Sequence, residues 1–246
     1  MSYVDFNLVV KTSYMKKWLP ILFVVIFFSS CSRYQYATLS SDIPKDKEDE
    51  FVAESDTLRI TYNFNGKKGP VNITIFNKSG LSLQVDWKKS ALIVDDKPTV
   101  YYQPDWHING SVSTSSESLS TSSSLIMANI TGQEGLEFLP PHSFISRKGM
   151  VIKKSNEFFA MPGDVVKEKM KIQGISKKTV KGSFTKENSP FVFRSYLTFI
   201  QLGSSENMFS VDHSFYVSQL LETVAGPDLI WPDPQKPGNT FFLNEL

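Results

Sequence analysis

Residues 58–64 read LRITYNF and residues 71–77 read VNITIFN, and both runs alternate with a period of two. Leu58, Ile60, Tyr62 and Phe64 fall on one side of the first run, with Arg59, Thr61 and Asn63 on the other. Successive side chains of a strand point to opposite faces, so this is the pattern of a strand with one dry face. In the second run Val71, Ile73 and Ile75 share a face, and NGKKGP between the two supplies turn residues. NKSG and then LSLQVDW follow, which sets Leu81, Leu83, Val85 and Trp87 inward against Ser82, Gln84 and Asp86. Three alternating runs joined by Gly- and Asn-containing turns predict an antiparallel meander with one wet face.

The pattern continues outward from this region. ALIV and TVYYQ flank an Asp95-Asp96-Lys97-Pro98 turn and predict a hairpin. GLEFLPPHSFIS reads as strand, Pro-Pro break and strand, and FVFRSYLTFIQ (191–201) as a further strand. MFSVDHSFYV places Phe209, Val211, His213, Phe215 and Val217 on one face, and SQLLETV continues it as strand or short helix. Residues 145–188 are Lys-rich, with short strand candidates at 150–152 and 170–173. Residues 111–124 hold eleven Ser or Thr in fourteen positions and predict a mobile loop. Residues 223–246 carry four prolines within twelve positions after Gly226 and predict an irregular tail. No long segment has helical periodicity. Many short strands separated by turn signals mean a sandwich or a barrel, and the expectation is all-β: one immunoglobulin-like antiparallel β-sandwich over 51–222. The Ser-rich loop and the Lys-rich middle account for its length as insertions, in preference to two domains.

The N-terminus raises a different question. MKKWLPILFVVIFFSSCS (15–32) contains the single cysteine of the chain, Cys31. Lys11, Lys16 and Lys17 precede an apolar run, Trp18 to Phe28, too short for the roughly 20 residues a membrane span needs. Basic residues, a short apolar run and the small residues Ser29 and Ser30 read as a secretory signal over residues 1–30, with Met15 a candidate true start. Phe28-Ser29-Ser30-Cys31 resembles the lipobox of bacterial lipoproteins, which implies cleavage between Ser30 and Cys31 and acylation of Cys31. Several acyl chains anchor stably where one does not. Residues 31–50, ending in PKDKEDE, are polar and of mixed charge and predict a tether between anchor and domain.

NKSGLSLQVDWKKSALI, LEFLPPHSFIS, SPFVFRSYLTF and VDHSFYVSQL together resemble a family of uncharacterised Bacteroidota lipoproteins. The resemblance covers about Arg33 to Glu222 and brings no catalytic residues with it. It implies an envelope protein. SRYQYA after Cys31 lacks the acidic export signal of surface-displayed members, which favours the outer membrane with the domain facing the periplasm. Asp56-Thr57-Leu58 matches the short O-glycosylation motif of that phylum, making Thr57 a candidate glycan site.

Net charge is +1 and stays near neutral without residues 1–30, so the chain has no electrostatic footprint for nucleic acid. His107, His142 and His213 show no metal-ligand pair spacing, and no second cysteine exists, so no metal and no cofactor is expected. No nucleophile elbow, phosphate loop or dinucleotide fingerprint occurs. The best binding candidate is YYQPDWHING, in which Tyr101, Tyr102, Trp106 and His107 could stack on a sugar or dock a protein. The alternative is that Tyr101 or Tyr102 belongs to the core. The expectation is a non-catalytic, membrane-anchored binding module with an unknown protein or glycan partner. A glycan-binding or glycan-processing accessory protein is the second reading, and a hydrolase assembled in space around His107 or His142 the third.

Overall fold

The computed structural model describes residues 32–102, 135–203, 207–232 and 236–245, and over these the chain is nearly all β. The strands in chain order are β1 (Arg33–Ser41), β2 (Phe51–Glu54), β3 (Leu58–Asn63), β4 (Gly66–Lys67), β5 (Pro70–Asn77), β6 (Leu83–Asp86), β7 (Ala91–Val94) and β8 (Lys97–Val100). After the undescribed stretch come β9 (Leu136–Leu139), β10 (Phe144–Val151), β11 (Val166–Ile172), β12 (Ile175–Ser183), β13 (Val192–Gln201) and β14 (Asn207–Thr223). A single helical turn, α1 (Pro227–Ile230), precedes β15 (Thr240–Glu245).

Two sheets form. The smaller runs β10-β5-β3-β2. The larger has eleven strands on a path β4-β15-β1-β14-β13-β6-β9, with the β11–β12 hairpin added on β14 and the β7–β8 hairpin on β13. The long strand β14 organises it: its first part pairs with β13, and its last part, Gln219 to Thr223, lies between β1 and β12.

The alternation read from the sequence explains the core. Ile60, Tyr62, Phe64, Ile73 and Ile75 leave the inner face of the small sheet and are buried against Phe193, Leu197, Phe215 and Val217 of the large one. The centre is aromatic. Phe215 has Phe51, Tyr62, Phe64 and Phe193 at ring-centroid distances of 5.1 to 5.2 Å. Such pairs add roughly 0.5–1.5 kcal/mol each beyond the area they bury.

Four expectations are corrected. The 31–50 tether is a strand over Arg33–Ser41: β1 pairs with β14 on one side and β15 on the other, and Tyr36, Ala37 and Leu39 are buried. Its polar Gln35 is fully buried because Phe159 satisfies it: Nε2 donates to the Phe159 carbonyl at 2.9 Å and Oε1 accepts from the Phe159 amide at 2.8 Å. The irregular 223–246 tail ends in β15, with Phe241 and Leu243 in the core. The third run of the expected meander, β6, leaves its neighbours and pairs with β13 in the opposite sheet. Its inward Leu83, Val85 and Trp87 fill the same core from the other side, which period-two alternation alone does not distinguish. Leu81 is exposed instead. The Lys-rich middle holds longer strands, β10 to β12, than the short candidates read there.

Candidate functional site

The sequence-predicted site residues separate. Ser30, Cys31, Trp106 and His107, with the Ser-rich loop, lie outside the described residues. Tyr101 is a core residue at 2% exposure, not a free platform. Its hydroxyl donates to Ser195 Oγ at 3.0 Å, its ring meets Trp87 edge-on, and Arg147 donates to its carbonyl at 3.2 Å. Burial holds its phenol well above the usual tyrosine range. Tyr102 is half-buried with the Lys88 ammonium 5.1 Å from its ring centre. The hollow beside Tyr101 and Arg147 measures about 20 Å³, room for a water and no larger ligand. Thr57 lies in the β2–β3 turn, where Ser55 Oγ accepts from the Thr57 and Leu58 amides.

A serine and a histidine do come together. Ser195 and His213 are directly opposed across β13 and β14. Nδ1 of His213 is taken by the Tyr62 hydroxyl at 2.8 Å, and Ser195, at 1% exposure, already accepts from Tyr101. Asp212 points to the other face and pairs with Arg194 at 2.5 Å. These groups are committed to one another as packing polar contacts, with Ser195, Tyr62 and Tyr101 buried and His213 half-buried. His142 stands in the Pro-Pro turn with φ 54. Among the described residues no group of His, Cys, Asp and Glu is arranged to hold a metal.

The open surface is elsewhere, on the outer face of the small sheet. Phe144 of β10 is registered beside Phe76 of β5, and Phe76 beside Arg59 of β3. The adjacent row is Ser146, Thr74 and Thr61, with the Thr74 and Ser146 hydroxyls bonded at 3.0 Å. Phe144 is 67% exposed. Arg59, Thr61, Thr74, Phe76 and Phe144 line a shallow depression of about 380 Å³, large enough for a small ligand or the tip of a larger one. Beyond Arg59, Glu54 is engaged by Lys78 at 2.8 Å, and the hydrogen bond and charge of that lysine hold its carboxyl below the usual range. The Arg59 side chain faces Glu54 across the strands and its charge adds to the lowering, but it makes no hydrogen bond or salt bridge among the described residues, so its five donors are available to a partner.

Sequence reasoning passed over this surface although one signal was present. In VNITIFN the outward positions are Asn72, Thr74 and Phe76, and the last places an aromatic where alternation calls for a polar residue. Comparison with family models, curated proteins and solved structures finds no match to this chain.

Proposed function

We propose that this protein is a lipid-anchored envelope protein, acylated on Cys31, whose β-sandwich serves as a non-catalytic binding module. The observation that carries the binding half is the outer face of the small sheet, where Phe144 and Phe76 stand beside Arg59, whose side chain makes no hydrogen bond among the described residues, and a row of hydroxyls. Exposed aromatic and arginine side chains are the residue types that dominate binding energy at interfaces. The residues lining the depression, Arg59, Thr61, Thr74, Phe76 and Phe144, include no carboxylate or imidazole, which supports binding over chemistry there. The anchor half rests on the sequence: basic residues, a short apolar run, Ser29, Ser30 and then Cys31.

In this reading the two sheets are an elaborated immunoglobulin-like body of the kind borne by the Bacteroidota lipoproteins this chain resembles. It is held at the outer membrane facing the periplasm. A glycan is the second reading of the partner, because a ring beside hydroxyls and a guanidinium suits a sugar.

Two measurements test this. Intact-mass analysis of the mature protein is expected to place its N-terminus at Cys31 with a diacylglyceryl addition, and an unmodified Cys31 refutes the anchor. A photoreactive residue at Phe144 is expected to give a discrete adduct in intact cells that Arg59→Glu weakens. Equal adducts from Phe144 and from a probe at the exposed Met208 of β14, on the outer side of the large sheet, refute the binding face.

A further inference from the structure

The position of β1 changes what an anchor at Cys31 means. Arg33 already belongs to the sheet, so only Ser32 separates it from Cys31. Tyr34 of β1 is level with Thr223 of β14, and Thr223 is level with Thr179 of β12. The residues of β12 before Thr179 therefore run past the end of β14, in the direction from which the chain arrives at β1. Four residues back, at Ile175, the hairpin has projected about 13 Å beyond that level. The chain from Tyr34 back to Cys31 spans at most about 10 Å. Strands lie about 4.8 Å apart, so β12 is roughly 10 Å to the side of β1. Chain length alone therefore allows an anchor at Cys31 and the tip of the β11–β12 hairpin to meet one surface.

The chemistry of that hairpin is segregated within a chain whose net charge is only +1. It carries Lys167, Lys169, Lys171, Lys177, Lys178 and Lys181 against a single acid, Glu168. None of the six lysines forms a salt bridge among the described residues. Lys169 and Lys178 are direct cross-strand partners, and Lys167 and Lys171 share their face. Like charges opposed in this way destabilise a sheet. Among the described residues no acidic side chain forms a salt bridge with these lysines, whereas an external anionic surface would offset their repulsion. The carboxylates nearby at this end, Glu222 and Glu245, are engaged by Arg33. Asp228 is the other acid here, in α1, whose backbone carbonyl accepts from Gln173 at the hairpin turn. Around the lysines, Ile175 is 58% exposed, Val224 42% and Leu229 40%. Apolar tips within a ring of lysines are the composition of an element that rests in a headgroup layer.

We infer that the Lys-rich β11–β12 hairpin, with Ile175, Val224 and Leu229, is a second membrane contact that seats this end of the sandwich on an anionic bilayer surface. This rests on the proposed acylation of Cys31. The small-sheet face that carries Phe144 is then held at a fixed orientation above the membrane instead of swinging on a tether.

Because Cys31 is the only cysteine, an acylated chain leaves one introduced thiol free for labelling. Full-length protein bearing Ile175→Cys, or separately Leu229→Cys, is labelled with a polarity-sensitive fluorophore and reconstituted into vesicles. Leu81→Cys, at the opposite end of β14, is the reference. The expected result is flotation with the vesicles and a blue shift at 175 and 229 in phosphatidylglycerol-containing vesicles. The shift should be absent at 81 and lost at about 0.5 M salt or on replacing Lys169, Lys171, Lys177 and Lys178 by Glu. Flotation with probes at 175 and 229 no different from 81 overturns the hairpin contact and leaves the anchor standing. A reactive Cys31 and no flotation with any vesicle overturns both.

Discussion

The Tyr62 hydroxyl and Nδ1 of His213 lie 2.8 Å apart, joining the inner face of the small sheet to the long strand of the large one. The two rings meet edge to face at 5.6 Å. Burial keeps the Tyr62 phenol protonated far above neutrality, so the hydroxyl donates and Nδ1 accepts. Burial also lowers the His213 pKa, with Asp212 partly opposing it. The unfolded imidazole titrates near 6.5. As pH falls through that value the unfolded chain takes up a proton that the fold resists, so stability declines until the lower folded pKa is passed. The urea midpoint of the protein is expected to be lower at pH 5.5 than at pH 7.5. His213→Gln keeps an acceptor without a titrating group and is expected to show a smaller decline. An equal decline in both proteins would remove His213 as the cause.

Gln35 ties β1 to the connection between β10 and β11 through both Phe159 backbone groups. Replacing it with Leu leaves a buried amide and a buried carbonyl without partners, each worth roughly 1–3 kcal/mol. Gln35→Leu is therefore expected to cost about 2–4 kcal/mol in denaturant unfolding despite its better hydrophobic match. Gln35→Glu keeps the acceptor but sets a carboxylate beside Glu222, which Gln35 now contacts at 3.0 Å. That variant is expected to regain stability on mild acidification, and Gln35→Leu is not. A neutral Gln35→Leu would show that water replaces the side chain.

These two residues also mark how far the sequence can be read. Leu58 to Phe64 and Val71 to Ile75 were legible because one face of the small sheet is wet, and alternation records that asymmetry. β1 was not legible because both its faces are covered: Tyr36 packs on Trp231 at 4.8 Å on one side, while Gln35 and Ala37 face the other. RYQYATLSS therefore alternates ring and polar group with no solvent side, and its buried Gln35 reads as a surface residue. β15 was masked by the prolines before it, which shape a connection and leave the last strand intact. For the site, the aromatics at 101–107 drew attention by density, yet Tyr101 is core. The outward Phe76 carried the information in a single break of alternation, completed only by Phe144 sixty-odd residues later through sheet register.

The β7–β8 hairpin turns on Asp95 and Asp96, both in the left-handed region at φ 49 and 59. Two such residues in succession are the two-residue turn that suits a hairpin, and Asn-Gly fits it better than Asp-Asp. Left-handed backbone costs a non-glycine residue about 1–2 kcal/mol, part of which Gly returns as greater freedom in the unfolded chain. Asp95→Asn with Asp96→Gly is expected to raise stability by about 0.5–1 kcal/mol, measured as an increase in Tm. An unchanged or lower Tm would mean that the two aspartates make compensating contacts with their surroundings.

Phe144 and Phe193 allow binding to be separated from folding. Phe193 is 1% exposed and stacks on Phe215, so truncating it to Ala is expected to cost about 3–5 kcal/mol and lower Tm sharply. Phe144 is 67% exposed, and Phe144→Ser is expected to change stability by no more than about 0.5 kcal/mol. If the small-sheet face is the binding surface, the same Phe144→Ser change falls at its aromatic centre. A contact of that kind is worth about 2 kcal/mol or more, or roughly a thirtyfold loss of affinity. Arg59→Ala should act in the same direction, since its guanidinium makes no hydrogen bond or salt bridge among the described residues and only its charge reaches the exposed Glu54. The measurement pairs thermal unfolding with adduct yield, in intact cells, from a photoreactive residue at Ser146. An unchanged Tm with a collapsed yield in both variants supports the face as a binding surface. An unchanged Tm with an unchanged yield moves the binding surface off this sheet.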